Sequence, residues 1–313
     1  MNRPSNITFY IIRTCLSSLL QMIGSGRSVS FGYWMILMAI ISFSCDTGET
    51  AEAKKEKQSI SADGKVIMAV FAHPDDELSI GPLMAKYARE GATVQLVTVT
   101  DGRYGTGQTD LKPGDELTAL RNEEVNTAAA KMGVEKPIWM GYHDQLKLKD
   151  GFFGHVPYVQ QLMVELDSLV DLIQPDVIIT WGPDGGSNHM DHRLVGASMT
   201  QVFLSKMWQK PKILYYVGTP ASHIEDEENR ILRGVADEYL TTVIDYTEED
   251  REKAIEAMYC YKSQFAEDRM DSRAERWRNG NHQVYLRPLV VSGDTSRNVF
   301  EIHQPKMQEV SAD

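Results

Sequence analysis

The chain has little cysteine, a shortage of positive charge and no internal repeat. Its three cysteines, Cys15, Cys45 and Cys260, stand far apart, so no CxxC pair exists to build a thiolate metal site. Any metal must be held by histidine and carboxylate groups. Lys and Arg number 32 against 44 Asp and Glu, a formal net charge of −12. Basic residues form no stripe beyond short pairs such as Lys54-Lys55. That argues against nucleic acid as a partner, because phosphate contacts need clustered Lys and Arg. No period marks a solenoid or propeller. The remainder is ordinary: 313 residues, 42% hydrophobic and 24% charged, which suits one domain of moderate size with extensions.

Long apolar runs are confined to the N-terminus. Residues 28–45 carry no charge, and the strongly apolar stretch from Phe31 to Phe43 is short for a bilayer span but fits the core of an export signal. It ends in Ser-Phe-Ser-Cys. A small residue before Cys45 resembles a bacterial lipoprotein processing site, although Ser42 stands where such sites usually carry Leu. A second apolar stretch, Ile7 to Ile23, is broken by Arg13. A start at Met22 gives a short basic region at Arg27, an apolar core and then Cys45. The expected layout is a targeting segment over 1–45, a polar flexible tether over 46–64 and one domain over 65–313. The chain is then exported and anchored to the membrane through lipidated Cys45. An uncleaved anchor and a cytoplasmic chain are the alternatives. Oligomeric state is not legible.

From residue 64 apolar runs alternate with amphipathic ones. Val66–Ala72 is nearly continuous hydrophobe, as a strand buried on both faces requires, and Thr93–Thr100 and Asp176–Trp181 read as further buried strands. Pro137–Tyr142 and Lys212–Gly218 read as further strands. Helical spacing covers Leu78–Arg89, Asp115–Met132, Tyr158–Ile173 and Arg193–Met207. Thr247-Glu-Glu-Asp250 resembles a capping box that opens a helix to about Phe265. Strand and helix in alternation imply parallel strands with crossover helices. The fold class is α/β, a Rossmann-like three-layer sandwich with a mostly parallel sheet. Such sheets bind ligands beyond the carboxyl ends of their strands, which directs attention to the residues just after each strand.

The first strand runs directly into His73-Pro74-Asp75-Asp76-Glu77. Proline turns the chain, so that His73 and Asp76 can face one point while Asp75 stands back. That division suits a metal with two ligands here and one free carboxylate to take a proton from water. An acidic turn capping the next helix explains Asp76 and Glu77 equally well, but not His73. A later strand, Asp176–Trp181, is followed by GPDGGSNHMDH, in which Gly185 and Gly186 permit a tight loop. His189 and His192 are three apart at a helix start and share a face. Asp191 lies between them and can fix an imidazole tautomer by hydrogen bonding a ring nitrogen. Two strands thus each deliver His plus Asp to the same sheet edge. His155, His223, His282 and His303 stand alone and read as surface or core residues. Trp181, Tyr104 and Trp139 read equally well as sugar-stacking platforms or as core.

AHPDDE (Ala72–Glu77) and HMDH (His189–His192) resemble the PIG-L/LmbE-like zinc-dependent N-acetylglucosamine deacetylases. Looser matches follow in order: Thr100-Asp101-Gly102, Arg121-Asn122-Glu123-Glu124, Gly141-Tyr142-His143-Asp144 and Tyr261-Lys262-Ser263-Gln264. The likeness spans about residues 65–265, with Met190 where many members carry Pro. It implies a Rossmann-like fold and one Zn2+ per chain held by His73, Asp76 and His192. It further implies Asp75 as base, His189 oriented by Asp191 to polarise the amide oxygen, and Arg121 and Asp144 on substrate hydroxyls. The implied reaction is zinc-dependent removal of an N-acetyl group from a small-molecule or oligosaccharide N-acetyl sugar. Hydrolysis of another amide, such as a thiol conjugate, and a non-catalytic glycan-binding lipoprotein are the alternatives.

Overall fold

The computed structural model describes residues 60–145 and 151–289, with side chains from Tyr158 onward in the helix that opens at Gly151. The expected targeting segment, Cys45 and the tether as far as Ser59 lie outside the described residues. Among the described residues no helix is long and apolar enough to cross a membrane.

Five parallel strands make the centre of a seven-stranded sheet. They are β1 (Val66–Phe71), β2 (Thr93–Thr100), β3 (Ile138–Tyr142), β4 (Val177–Trp181) and β5 (Ile213–Val217). Two antiparallel strands, β8 (Thr242–Asp245) and β9 (Gln283–Pro288), extend one edge, giving the order β3-β2-β1-β4-β5-β9-β8. A separate two-stranded ribbon pairs β6 (Thr219–Pro220) with β7 (Gly234–Val235). The period of two along β1 feeds two cores. Ile67, Ala69 and Phe71 enter one, and Met68, Val70 and Ala72 the other. Both faces of β1 are therefore dry, which is why its sequence is unbroken hydrophobe.

The first core is covered by α1 (Gly81–Arg89), α2 (Asp115–Met132) and α6 (Glu248–Met258), through Leu83, Met84, Val125, Met132, Ile255 and Met258. The second is covered by α3 (Gly151–Ile173) and α4 (Met190–Leu204), through Leu162, Leu166, Val195 and Met199. This is the expected three-layer arrangement. Two further α-helices are α5 (Glu227–Arg233) and α7 (Glu267–Asn279).

Several boundaries differ from the sequence reading. α3 opens at Gly151 rather than Tyr158, and α4 opens at Met190, so that His192 sits inside the helix. The helix from Thr247 stops at Met258 instead of Phe265. Beyond it, Tyr261 and Ser263 are drawn inward by hydrogen bonds to Glu77 and Glu124, which a continued helix would break. β8, β9, α5 and α7 have no counterpart in the sequence expectations.

The capping box at Thr247 is present in full. Asp250 Oδ2 accepts from the Thr247 backbone N–H at 2.9 Å and hydroxyl at 2.7 Å, and its carboxylate takes a bidentate pair from Arg89 Nε at 2.8 Å and Nη2 at 3.0 Å. One carboxylate thus starts α6 and ties it to the end of α1. Burial pushes the Asp250 carboxyl up, but the bonds from Arg89 and Thr247 outweigh it and hold it below its ordinary value. Because the folded value is depressed, this contact stabilises fully above the unfolded carboxyl pKa of about 3.9 and fades as pH falls through the lower folded value. Asp250→Ala is expected to lower stability by about 2–4 kcal/mol near neutral pH. Urea denaturation should show the difference from wild type shrinking below about pH 4.

Candidate metal centre

β1 and β4 are neighbours, but the chain leaves them for opposite sides of the sheet, β1 leading to β2 and β4 to α4 and β5. The order reverses between them, which opens a crevice beyond their carboxyl ends. His73 follows β1 by two residues. β4 ends at Trp181, and the loop 182–189 turns directly into α4 with His189 as its N-cap. The glycine at 185 has φ +65°, and a Cβ there would stand 2.9 Å from the Cβ of His192, so the loop can close on the helix only without a side chain at that point.

Four donor atoms of three residues converge in the crevice. His73 Nδ1 lies 3.1 Å from His192 Nε2. Asp76 Oδ1 lies 3.1 Å from His192 Nε2, and Asp76 Oδ2 lies 3.7 Å from His73 Nδ1. A tetrahedron with metal–ligand bonds of about 2.0–2.1 Å has edges of about 3.4 Å. The two edges that meet at His192 Nε2, both 3.1 Å, lie slightly under that value. The tautomers agree as well. A carbonyl oxygen can only accept, so His192 Nδ1 donates to the Gly185 carbonyl at 2.8 Å and leaves Nε2 a lone pair. A carboxylate likewise only accepts, so His73 Nε2 donates to Asp191 Oδ2 at 3.1 Å and leaves Nδ1 a lone pair. Two lone pairs and a carboxylate oxygen facing one point at these distances attract a cation. The same pull is visible at His73. Burial works against a charge there, but Asp191 and Asp76 outweigh it and hold the imidazole well above its usual value.

Asp76 is held from every side. Its Oδ2 accepts from the backbone N–H of Ala72 at 3.1 Å and of His73 at 2.8 Å, and from Trp181 Nε1 at 3.2 Å. Burial pushes its carboxyl up, but the bonds to His192 and His73 prevail and keep it far below the usual range. The Trp181 ring also stacks on His192, with centroids 4.8 Å apart and planes within 1°. Trp181 therefore positions two ligands and is no sugar platform. Trp139 packs against the core, and Tyr104, 40% exposed, is the one of the three that faces solvent.

A second trio is geometrically available. One ligand atom each of His73, His189 and His192 lie within 4.8 Å of one another. His189 fits it poorly on chemical grounds. Its Nδ1 accepts the Asp191 backbone N–H at 3.2 Å, which puts its proton on Nε2 and leaves neither nitrogen a free lone pair. Burial, and then the neighbouring imidazoles, hold His189 below its usual value and so neutral. An exposed neutral N–H donor edge-on to His73, 4.7 Å between centroids, suits a polarising role better than ligation. The Asp191 carboxylate, expected to orient His189, faces His73 instead and also accepts the Gln145 N–H at 2.7 Å.

Asp75 has φ 99°, the left-handed region that a non-glycine residue occupies at a cost. Asp75 Oδ2 meets Arg121 Nη2 at 3.2 Å, and its backbone N–H donates to Glu77 Oε2 at 3.0 Å. Burial raises the Asp75 carboxyl, with Arg121 opposing. Arg121 is 2% exposed and also donates to the Pro74 carbonyl. Beneath lies a polar web that sequence reading missed. The Tyr261 hydroxyl donates to Glu77, whose carboxyl burial pushes up to about 8. The Ser263 backbone N–H and hydroxyl donate to Glu124 at 2.8 and 2.7 Å, and Gln264 reaches the Gly105 carbonyl. Asp144 was expected on substrate hydroxyls. Its two oxygens instead accept the backbone N–H groups of Gly102 at 2.8 Å and Tyr104 at 2.9 Å, and the residue is buried. His223 and His282, as expected, pack elsewhere, on Tyr285 and Arg251.

Residues 68–203 match the family model PIG-L, GlcNAc-PI de-N-acetylase. A 1D-myo-inositol 2-acetamido-2-deoxy-alpha-D-glucopyranoside deacetylase of Mycobacterium sp. (strain JLS) is 31% identical over 194 residues, 57% of this chain and 62% of that protein. The chain thus spans somewhat less than two thirds of that relative. Among solved structures, N,N'-diacetylchitobiose deacetylase from Pyrococcus horikoshii has a TM-score of 0.55 at 19% identity, covering 84% of this chain and 94% of its own. A 4-carboxy-2-hydroxymuconate hydratase from Pseudomonas putida has a TM-score of 0.54 at 16% identity, covering 75% and 99%. These likenesses show the fold, and the hydratase shows that the fold alone does not select the reaction.

Asp191→Asn leaves His73 without an obligate acceptor at Nε2. It is expected to weaken divalent-metal binding about 10- to 100-fold, measured by calorimetric titration of the metal-free protein.

Proposed function

Because the chain carries a PIG-L family domain across residues 68–203, we propose that it is a metal-dependent hydrolase that removes the acetyl group from an N-acetylglucosamine-type sugar or glycoside. The observation that carries this reading is the union of three converging donors, His73, Asp76 and His192, with an adjacent carboxylate, Asp75, that no ligand role occupies. A binding module has no need of the second feature.

Two imidazoles and one carboxylate form the donor set of a catalytic zinc site with an open position. Bound there, zinc supplies Lewis acidity to a carbonyl oxygen and acidifies water near neutral pH. The chain's own groups do the rest. Asp75, steadied by Arg121, takes the proton of the attacking water on its carboxylate and later delivers it to the leaving nitrogen. His189 donates its Nε2 proton in a hydrogen bond to the acetamide oxygen as negative charge grows there. Asp191 keeps His73 in the right tautomer. Arg121 retains two buried donors, Nε and Nη1, without an acceptor among the described residues, and a substrate oxygen satisfies them. The products are acetate and a free amine.

The same proposal includes export and lipidation at Cys45. On that layout the substrate is an extracellular or periplasmic glycan fragment. A cytoplasmic chain points instead to a small glycoside.

The test is a panel of N-acetylglucosamine sugars and glycosides given to the zinc-loaded protein, with mass spectrometry for loss of one acetyl group. Wild type is expected to deacetylate at least one of them. Asp75→Asn is expected to keep the metal and lose about 10²- to 10⁴-fold in kcat. Full activity in Asp75→Asn removes Asp75 as the base. No deacetylation with zinc bound favours another amide or a binding role.

A further inference from the structure

Beside the metal centre is a cavity of about 300 Å3, bounded by Leu78, Trp181, Asp184, Gly186, Arg233 and Arg273. It shares Trp181, the residue that orients Asp76 and His192, with the site. Its volume admits one monosaccharide-sized group, at the low end for ligand pockets. Its charge is unusual in a chain whose net charge is −12. Arg233 closes α5 and Arg273 projects from α7. Among the described residues neither side chain has an ion-pair partner or a hydrogen-bond acceptor. Arg273 rests against the Trp277 ring at 5.0 Å, which fixes it without neutralising it. Other arginines near the site have acceptors: Arg121 Nη2 donates to Asp75 and the Pro74 carbonyl, and Arg193 donates to Asn188 and the Asp184 carbonyl. The single acid in the lining, Asp184, has one oxygen engaged by the Gly186 N–H at 2.8 Å.

A guanidinium without a carboxylate in a partly dry cavity lacks compensation. Burial lowers the Arg273 pKa, against the attraction of Asp75.

We infer that this cavity is an anion subsite, and that the N-acetyl sugar processed here carries a phosphate or carboxylate group that Arg233 and Arg273 receive. The inference rests on the deacetylase reading for the sugar, but the anion subsite itself can be measured without turnover. The probes are deacetylated sugars, which bind as products: glucosamine, glucosamine 1-phosphate, glucosamine 6-phosphate and muramic acid. Each is titrated calorimetrically into the zinc-loaded full chain. At least one anionic sugar is expected to bind about 10- to 100-fold more tightly than glucosamine. That ratio should fall to about one in the Arg233→Gln, Arg273→Gln double variant and recover in part in Arg273→Lys. Arg233→Gln alone, at an exposed position, reports the effect should the double variant fold poorly, and it should reduce the ratio severalfold. Equal binding of neutral and anionic sugars by wild type overturns the inference. So does a preference that survives the substitutions, which would place the anion on the metal. Acetyl release from N-acetylglucosamine, followed in parallel, reports on the deacetylase reading alone.

Discussion

The contact on which the rest depends is the Asp76 carboxylate. It joins the ends of two strands that are adjacent in the sheet but more than a hundred residues apart in sequence. One oxygen collects two backbone N–H groups from the turn after β1 and the indole N–H at the end of β4, and the other faces His192. A carboxylate at this depth is tolerated only when so many donors surround it. Those donors lock the turn after β1 against the end of β4, and His73 and His192 are brought face to face as a consequence. The site is thus a product of strand order: the reversal between β1 and β4 opens the crevice, and Asp76 bridges it.

Around that bridge the second half of the chain serves as a clamp. Tyr261, Ser263 and Gln264 leave the end of α6 to satisfy Glu77, Glu124 and the Gly105 carbonyl. These bonds draw together the turn after β1, helix α2 and the loop after β2, which between them carry Asp75, Arg121 and Tyr104. Buried polar groups of this kind rigidify a site when every member is paired. The strained φ of Asp75 is held by the same web, through its N–H on Glu77 and its carboxylate on Arg121.

Much of this was legible in the sequence, for identifiable reasons. β1 is dry on both faces and so reads as unbroken hydrophobe, and β2 and β4 bury most of their residues in the same way. β8 and β9 lie at the antiparallel edge, where TVID and QVYLRP alternate too briefly to register. α7 buries only Met270 and Ala274 among a majority of charges, so it carries no apolar stripe to find. The two His-plus-Asp clusters stood out because both follow strands at one sheet edge, and the resemblance to the deacetylase family singled out His73, Asp76 and His192 among them. The partner of Asp191 was not: adjacency in sequence suggested His189, whereas the first turn of α4 aims the carboxylate across the crevice at His73. Trp181 was equally ambiguous, since an aromatic at a strand end reads as core, rim or platform until its ring is seen lying on His192. Asp144 looked like a substrate contact, and the structure occupies both of its oxygens with backbone N–H groups, whereas Arg121 is tied down only through Nη2.

The central claim is that a carboxylate, not a third imidazole, completes the donor set. Zinc titration of the metal-free full chain, with Asp76→Ala and His189→Ala beside wild type, tests it most directly. The expected result is one tight zinc per chain in wild type, retained in His189→Ala and weakened at least about 100-fold in Asp76→Ala. Tight binding in Asp76→Ala together with its loss in His189→Ala would contradict the account and make the three histidines the site.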